Sequence, residues 1–223
     1  MEQGWSRKLA SALVAGLILC LATPGLQPFS LPFPFQLPAV ALLAVAVLWL
    51  QHDHSLADSI RLALARPLAT LLIADALAFF VLVILSRLLL PSLLGQLFPP
   101  GHDRPSVDSF VLTELGRLFR FIASAWLSAA IAEEIVFRVF LLEQCERLFG
   151  DSRWARSLAC LLGATVFGLA HYTQDPAGVI TTGAVGLSFC AAYYLSRKNV
   201  PALILAHGFI DTYSLIALYK PHG

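Results

Sequence analysis

The sequence predicts an all-α fold: a polytopic transmembrane helix bundle of about seven spans, with six to eight as the range. Of the 223 residues, 58% are hydrophobic and only 13% are charged, and the mean hydropathy is +0.76. Soluble domains are nearer half apolar and a quarter charged. The apolar residues also fall in runs long enough to cross a bilayer as helices. The chain is therefore predicted to be an integral membrane protein embedded in the lipid bilayer.

Seven apolar segments are the candidate spans. They lie at residues 9–26, 38–50, 68–94, 115–143, 157–172, 178–196 and 201–219. The second is short for a bilayer crossing, and the third is long enough to tilt. The first follows Arg7 and Lys8, as in a signal peptide. We interpret it as an uncleaved helix, because many further spans follow it.

The basic residues predict the orientation of the bundle. Lys and Arg are more frequent in the connections on the side of the N-terminus, which predicts a cytoplasmic N-terminus and, for an odd span count, an outer C-terminus. We treat residues 1–223 as a single integral membrane domain, in which the spans within 1–105 have no assigned role. The net charge is +1 and there is no basic stripe, so no nucleic-acid partner is expected.

Three charged residues interrupt the fourth span, in the stretch AEEIVFR. Each charge costs about 2.5–3.5 kcal/mol at the bilayer centre, so Glu133, Glu134 and Arg138 should face the bundle interior. Glu134 and Arg138 are four residues apart and are predicted to pair, either as a structural lock or as part of a site. Glu133 is rotated by about 100° from Glu134 on an α-helix. It is therefore the carboxylate left available as a general base or a metal ligand.

Two further spans carry polar residues at helical spacing. The fifth ends in FGLAH, which contains Phe167 and His171, and the seventh contains HGFID, with His207 and Asp211 four residues apart. In that register a carboxylate can orient the imidazole or share a ligand with it. Together with Glu133, these are the residue types that activate water, either directly or around a zinc ion.

With these motifs, the sequence resembles the CPBP family of intramembrane proteases, which includes the type II CAAX prenyl endopeptidases and bacteriocin-processing membrane proteins. The family signature is EExxxR, then FxxxH, then HxxxN or HxxxD. Residues 133–138, 167–171 and 207–211 match it once each and in order. The resemblance covers about residues 115–220, the predicted catalytic core. It implies hydrolysis of a peptide bond within or near the membrane.

The resemblance also implies a role for each matched residue. Glu133 with His171 would activate the attacking water, while His207 and Asp211 would stabilise the oxyanion. The supporting positions are Glu134, Arg138 and Phe167. Position 211 departs from the commoner Asn, and an ionised aspartate cannot donate a hydrogen bond. The resemblance leaves open whether the enzyme is metal-free or holds zinc through Glu133, His171 and His207, a set that would suit zinc with an open water position.

The leading hypothesis is an intramembrane endopeptidase that cuts a membrane-associated or C-terminally anchored protein or peptide. Carboxylates and histidines inside helices also build proton relays, so a proton-coupled transporter is an alternative. A catalytically silent scaffold or immunity factor is another. The distribution of the family implies a bacterial inner (plasma) membrane location.

Some expectations concern depth and the remaining polar residues. With the spans as predicted, His171 and His207 differ in depth by about 10–15 Å, so a helix must tilt or distort for the motifs to meet. Asp75, in the third span, is a further intramembrane carboxylate that could pair with a base or join the cavity. His52 and His54 are expected in a solvated loop.

Overall fold

The computed structural model describes residues 2–23, 34–65, 114–173 and 176–220, and every regular element in these ranges is a helix. The helices are α1 (Glu2–Ala22), α2 (Gln36–Leu50), α3 (Ser55–Ala65), α4 (Leu115–Ala125), π1 (Trp126–Phe140), α5 (Leu141–Phe149), α6 (Arg153–Ala170), α7 (Pro176–Leu195) and α8 (Val200–Ala217). The all-α prediction is confirmed for these residues. The predicted third span and Asp75 lie outside them.

The number of spans is lower than predicted within the described residues. Only α7 and α8 are long and apolar enough to cross a membrane alone, and α2 with the first part of α3 passes the same test as a pair bent by 100°. The apolar part of α1, Lys8–Ala22, is shorter. The described ranges thus hold two candidate spans, or three with the bent pair, and seven spans are not confirmed.

The motif-bearing helix runs without a break from Leu115 to Phe149, but its hydrogen-bonding pattern changes twice. In π1 the backbone bonds join residues five apart, and at its end the N–H of Leu141 donates to the carbonyl of Val136. Most π-helices are single-turn insertions near functional sites, whereas π1 extends over 15 residues. Because π1 packs against both α2 and α8, its widened turns present motif side chains to each neighbour.

Helices α6 and α7 approach each other closely through glycine. A Cβ atom added to Gly168 would lie 2.9 Å from the carbonyl oxygen of Val179 and 3.1 Å from Cα of Gly183. These neighbours are backbone atoms and cannot rotate away as a side chain could. The contact holds the C-terminal end of α6 against α7, and the end of α6 is where the second motif lies.

We expect Gly168→Ala to lower the free energy of unfolding by about 1–3 kcal/mol, because the added methyl group overpacks a backbone contact. Thermal unfolding in detergent measures this effect. The matched control is Gly116→Ala in α4, where an added Cβ would meet no atom within 4 Å. That control should be neutral or stabilising by about 0.5–1 kcal/mol, since alanine is the better helix former. Equal melting temperatures for the two variants would contradict the packing account.

A partly buried polar cluster joins α5 to the end of α7 and to the connection that leads into α8. Lys198 Nζ donates to Glu143 Oε1 at 2.5 Å and to Glu146 Oε2 at 2.8 Å, and the hydroxyl of Tyr193 donates to Glu143 at 3.0 Å. Burial disfavours the charged ammonium, but its hydrogen bonds to the two carboxylates outweigh the effect of burial and raise the pKa of Lys198. Because α5 continues directly from π1, the cluster fixes π1 relative to α8.

Candidate active site

The three motifs meet at one cavity of about 290 Å³, although they lie on three separate elements. The motif residues that line it are Glu133, Arg138, Phe167, His171, His207 and Asp211. All four predicted catalytic residues therefore face the same space. The predicted depth difference between the two histidines does not separate them, because it assumed straight, parallel helices that all cross the bilayer. Helices α6 and α8 both contact π1, and α6 ends at Ala170, so His171 lies just beyond it.

A buried chain of three side chains links π1 to α8. Arg138 Nε lies 3.3 Å from Glu134 Oε2, which confirms the predicted pair. The other oxygen of Glu134 accepts a hydrogen bond at 2.8 Å from Nδ1 of His207. Glu134 and Arg138 are both fully buried. The chain fixes the orientation of the His207 ring and leaves Nε2 directed away from Glu134.

The other nitrogen of His207 faces two more carboxylates. Its Nε2 lies 3.7 Å from Asp211 Oδ2 and 3.9 Å from Glu133 Oε2. These distances are too long for direct hydrogen bonds but allow strong electrostatic attraction. Because Nδ1–H already donates to Glu134, a second proton on Nε2 makes His207 an imidazolium, a charge that the neighbouring carboxylates favour. In that form, His207 can donate from Nε2 to an oxygen atom in the cavity.

His171 is held by the end of its own helix. Its Nδ1 lies 2.8 Å from the carbonyl oxygen of Phe167, one of the carbonyls that a helix C-terminus leaves without an intrahelical partner. A carbonyl can only accept, so Nδ1 carries the proton and donates it. The lone pair of the neutral ring is then on Nε2. This tautomer can accept a proton from water.

Aromatic rings enclose the guanidinium and both histidines. The ring centroid of Phe167 lies 4.3 Å from Arg138 Cζ and 4.8 Å from the His171 ring. Phe189 of α7 lies 5.1 Å from Arg138 Cζ and 5.3 Å from the His207 ring. Phe167 reaches this position because Gly186 faces it, where a Cβ would lie 2.8 Å from the ring. Cation–π contacts of this kind stabilise a guanidinium that is removed from water.

The predicted zinc ligands do not form a metal site as they are placed. Two ligands of one tetrahedral zinc lie about 3.4 Å apart, from bond lengths near 2.1 Å, whereas Glu133 Oε2 and His207 Nε2 are 3.9 Å apart. Within the described ranges, no group of three or more His, Cys, Asp or Glu side chains has a geometry that could hold a metal ion. The mechanism proposed below therefore uses no zinc ion, and a zinc site stays a prediction from the sequence.

Two contributors to the site were not predicted from the sequence. The spacing predicted Asp211 as the residue that orients His207, but Glu134 makes the short bond to it, from 73 positions away. Phe189 was not singled out, since a phenylalanine in an apolar helix gives no signal of its own. The histidines His52 and His54 lie in the turn between α2 and α3, away from the cavity.

One comparison with known proteins matches the segment of the chain that carries the motifs. No curated protein and no solved structure matches the chain. A family model does, that of the Rce1-like type II CAAX prenyl endopeptidases, over residues 116–213. The matched segment runs from α4 into α8 and contains all three motifs, while α1, α2 and α3 lie outside it. The family indicated by the motifs is thus confirmed for residues 116–213, which match the Rce1-like type II CAAX prenyl endopeptidases.

Proposed function

We propose that this integral membrane protein is an endopeptidase that hydrolyses a peptide bond in a membrane-associated or C-terminally anchored substrate. The observation that carries the proposal is the convergence of Glu133, His171, His207 and Asp211 on one cavity inside the family-matched segment. A carboxylate, a neutral imidazole and a donating imidazole are the groups that water-mediated peptide hydrolysis needs.

In the first step, Glu133 and Nε2 of His171 bind a water molecule, and Glu133 accepts its proton as the oxygen attacks the carbonyl carbon. General bases of this kind contribute about 10²–10⁴-fold to rate. The π bond of the carbonyl opens, and its electron pair moves to the oxygen. The proton on Glu133 then passes to the amide nitrogen as the C–N bond breaks. The products are a carboxylic acid and an amine.

The oxyanion of the tetrahedral intermediate is stabilised by His207. Its Nε2–H points to the cavity because Glu134 holds the opposite nitrogen at 2.8 Å. A donor fixed before the reaction costs no reorganisation during it. Asp211, 3.7 Å from Nε2, acts on the charge of the imidazole rather than as a donor to the substrate.

The substrate test uses purified protein in lipid nanodiscs and peptides that carry one hydrophobic anchor, with or without a prenylated C-terminal cysteine. We expect cleavage of at least one anchored peptide, and we expect a chelator to leave the cleavage rate unchanged. The purified protein should contain less than about 0.1 zinc ion per chain, about a tenth of the value for a zinc enzyme. Zinc near one per chain with cleavage lost on chelation would favour the metal-bound alternative. No cleavage of any anchored peptide would favour the scaffold or transporter alternatives. The bacterial inner membrane and the cytoplasmic N-terminus stay part of the proposal.

A further inference from the structure

A second cavity, of about 250 Å³, adjoins the candidate catalytic pair. Glu133 and His171 line both cavities. The remaining described lining comes largely from the N-terminal helices and from apolar side chains: Ala22, Pro34, Gln36, Leu37, Phe137 and Ala170, with Ser128 and Thr173 at the polar part. Helices α1 and α2, which lie outside the family match, therefore contribute a wall to the candidate active site.

One polar group in this cavity has no partner. Nε2 of Gln36 is buried and makes no hydrogen bond to any described residue. An unsatisfied buried donor costs about 1–3 kcal/mol, so its retention needs a compensating acceptor. Ser128, another polar residue of the lining, already donates to the carbonyl of Ser124 at 2.7 Å. Gln36 also lines the cavity, so rotation of its side chain would bring this unsatisfied donor to a ligand bound there.

The substrate of an intramembrane peptidase has the complementary requirement. A peptide must be extended for water to reach its carbonyl carbon, and an extended backbone within the membrane needs hydrogen-bond partners from the protein. If the scissile carbonyl lies near His207 in the first cavity, the chain passes Glu133 and His171 on its way to the second. There it meets an apolar wall and one free amide donor.

We propose that the second cavity is a substrate subsite that binds the residue flanking the scissile bond. Its apolar wall accepts an apolar side chain, and Gln36 donates to a main-chain carbonyl of the substrate. This inference rests on the proposed peptidase function and adds a specificity-determining residue from outside the family-matched segment.

Filling the cavity tests the subsite. Ala22→Leu places a larger side chain in its wall, and Ala12→Leu is the matched control, since Ala12 is an exposed residue of the same helix. The probes are anchored peptides that differ only in the flanking residue, alanine against phenylalanine, tested on each side of the cleaved bond. We expect Ala22→Leu to lower kcat/KM about tenfold or more for the phenylalanine peptide, through KM, and less than twofold for the alanine peptide. Ala12→Leu should change neither.

Removing the donor tests Gln36 separately. Gln36→Leu should lower kcat/KM about tenfold for both peptides, the ratio that corresponds to loss of one hydrogen bond to a polar partner. Its melting temperature should not fall, because no described residue loses a bond. Equal kinetics for wild type, Ala22→Leu and Gln36→Leu would overturn the subsite while leaving the peptidase function intact. An equal loss for both peptides in Ala22→Leu would also overturn it and indicate a water route instead.

Binding separates failure of the subsite from failure of the proposed function. The same fluorescently labelled peptides are titrated with wild-type, Ala22→Leu and Ala12→Leu proteins in nanodiscs. If only Ala22→Leu binds the phenylalanine peptide more weakly while binding the alanine peptide normally, the result supports the subsite even when no peptide is cleaved. No difference among the three proteins, alongside measurable binding, overturns it.

Discussion

Glu133→Gln lowers kcat for peptide cleavage by about 10²–10⁴-fold, the contribution expected of a general base. The amide keeps the size of the side chain but cannot accept the proton of the attacking water. Within the described part of the chain, Glu133 forms its ion-pair contact with His207 Nε2 at 3.9 Å, which is longer than a hydrogen bond. The substitution should therefore change the melting temperature little. Initial rates on an anchored peptide, with thermal unfolding of the same preparations, measure both effects.

The control for this change is Glu114→Gln, at the exposed residue that precedes α4 and far from the cavity lining. It removes one carboxylate next to the N-terminal end of the motif-bearing helix and should leave kcat unchanged. Retention of more than a tenth of wild-type kcat in Glu133→Gln would argue against a general base at this position.

Arg138→Met destabilises the protein by about 3–5 kcal/mol, because it removes the guanidinium that pairs with the fully buried Glu134. Methionine still fills the space between Phe167 and Phe189, so the loss comes mainly from the charge. The double variant Glu134→Leu/Arg138→Met removes the whole pair. Replacement of a buried pair by apolar residues is often neutral or stabilising, so most of the stability should return.

Activity should respond differently from stability in this series. The double variant lacks the carboxylate that holds His207 at 2.8 Å, so its kcat should stay at least tenfold below wild type even when the melting temperature recovers. Arg61→Met, which breaks the exposed pair with Asp58, is the control and should cost less than about 1 kcal/mol. Recovery of both stability and kcat in the double variant would show that the pair is only a structural lock.

The sequence predicted those features that depend on local spacing. The helices at 178–196 and 201–219 are present as Pro176–Leu195 and Val200–Ala217, because continuous apolar composition defines them. The Glu134–Arg138 pair followed from a separation of four residues. The order of the three motifs along the chain predicted that Glu133, His171 and His207 share one site. No local rule could give the distances between their side chains.

The features that escaped prediction depend on contacts between distant segments. The π-helix at Trp126–Phe140 was missed because a run of alanine and apolar residues is typical of an α-helix, and π-helices are rare. The packing of α8 and α2 against π1 determines two of these features. They are the bond from His207 to Glu134 and the position of Gln36 in the lining of the second cavity. The described residues do not confirm seven spans, and hydropathy alone does not show where a helix bends, as between α2 and α3.

Cleavage of an anchored peptide in oxygen-18 water, by wild-type and Glu133→Gln proteins in identical nanodiscs, tests most directly whether Glu133 activates water for peptide hydrolysis. Mass spectrometry of the products gives both the cleaved bond and the source of the new oxygen. We expect the wild-type product to carry one oxygen-18 atom in its new C-terminal carboxylate, and the variant to yield almost no product. Equal labelled product from both proteins, or no cleavage by the wild type, would contradict the proposed site.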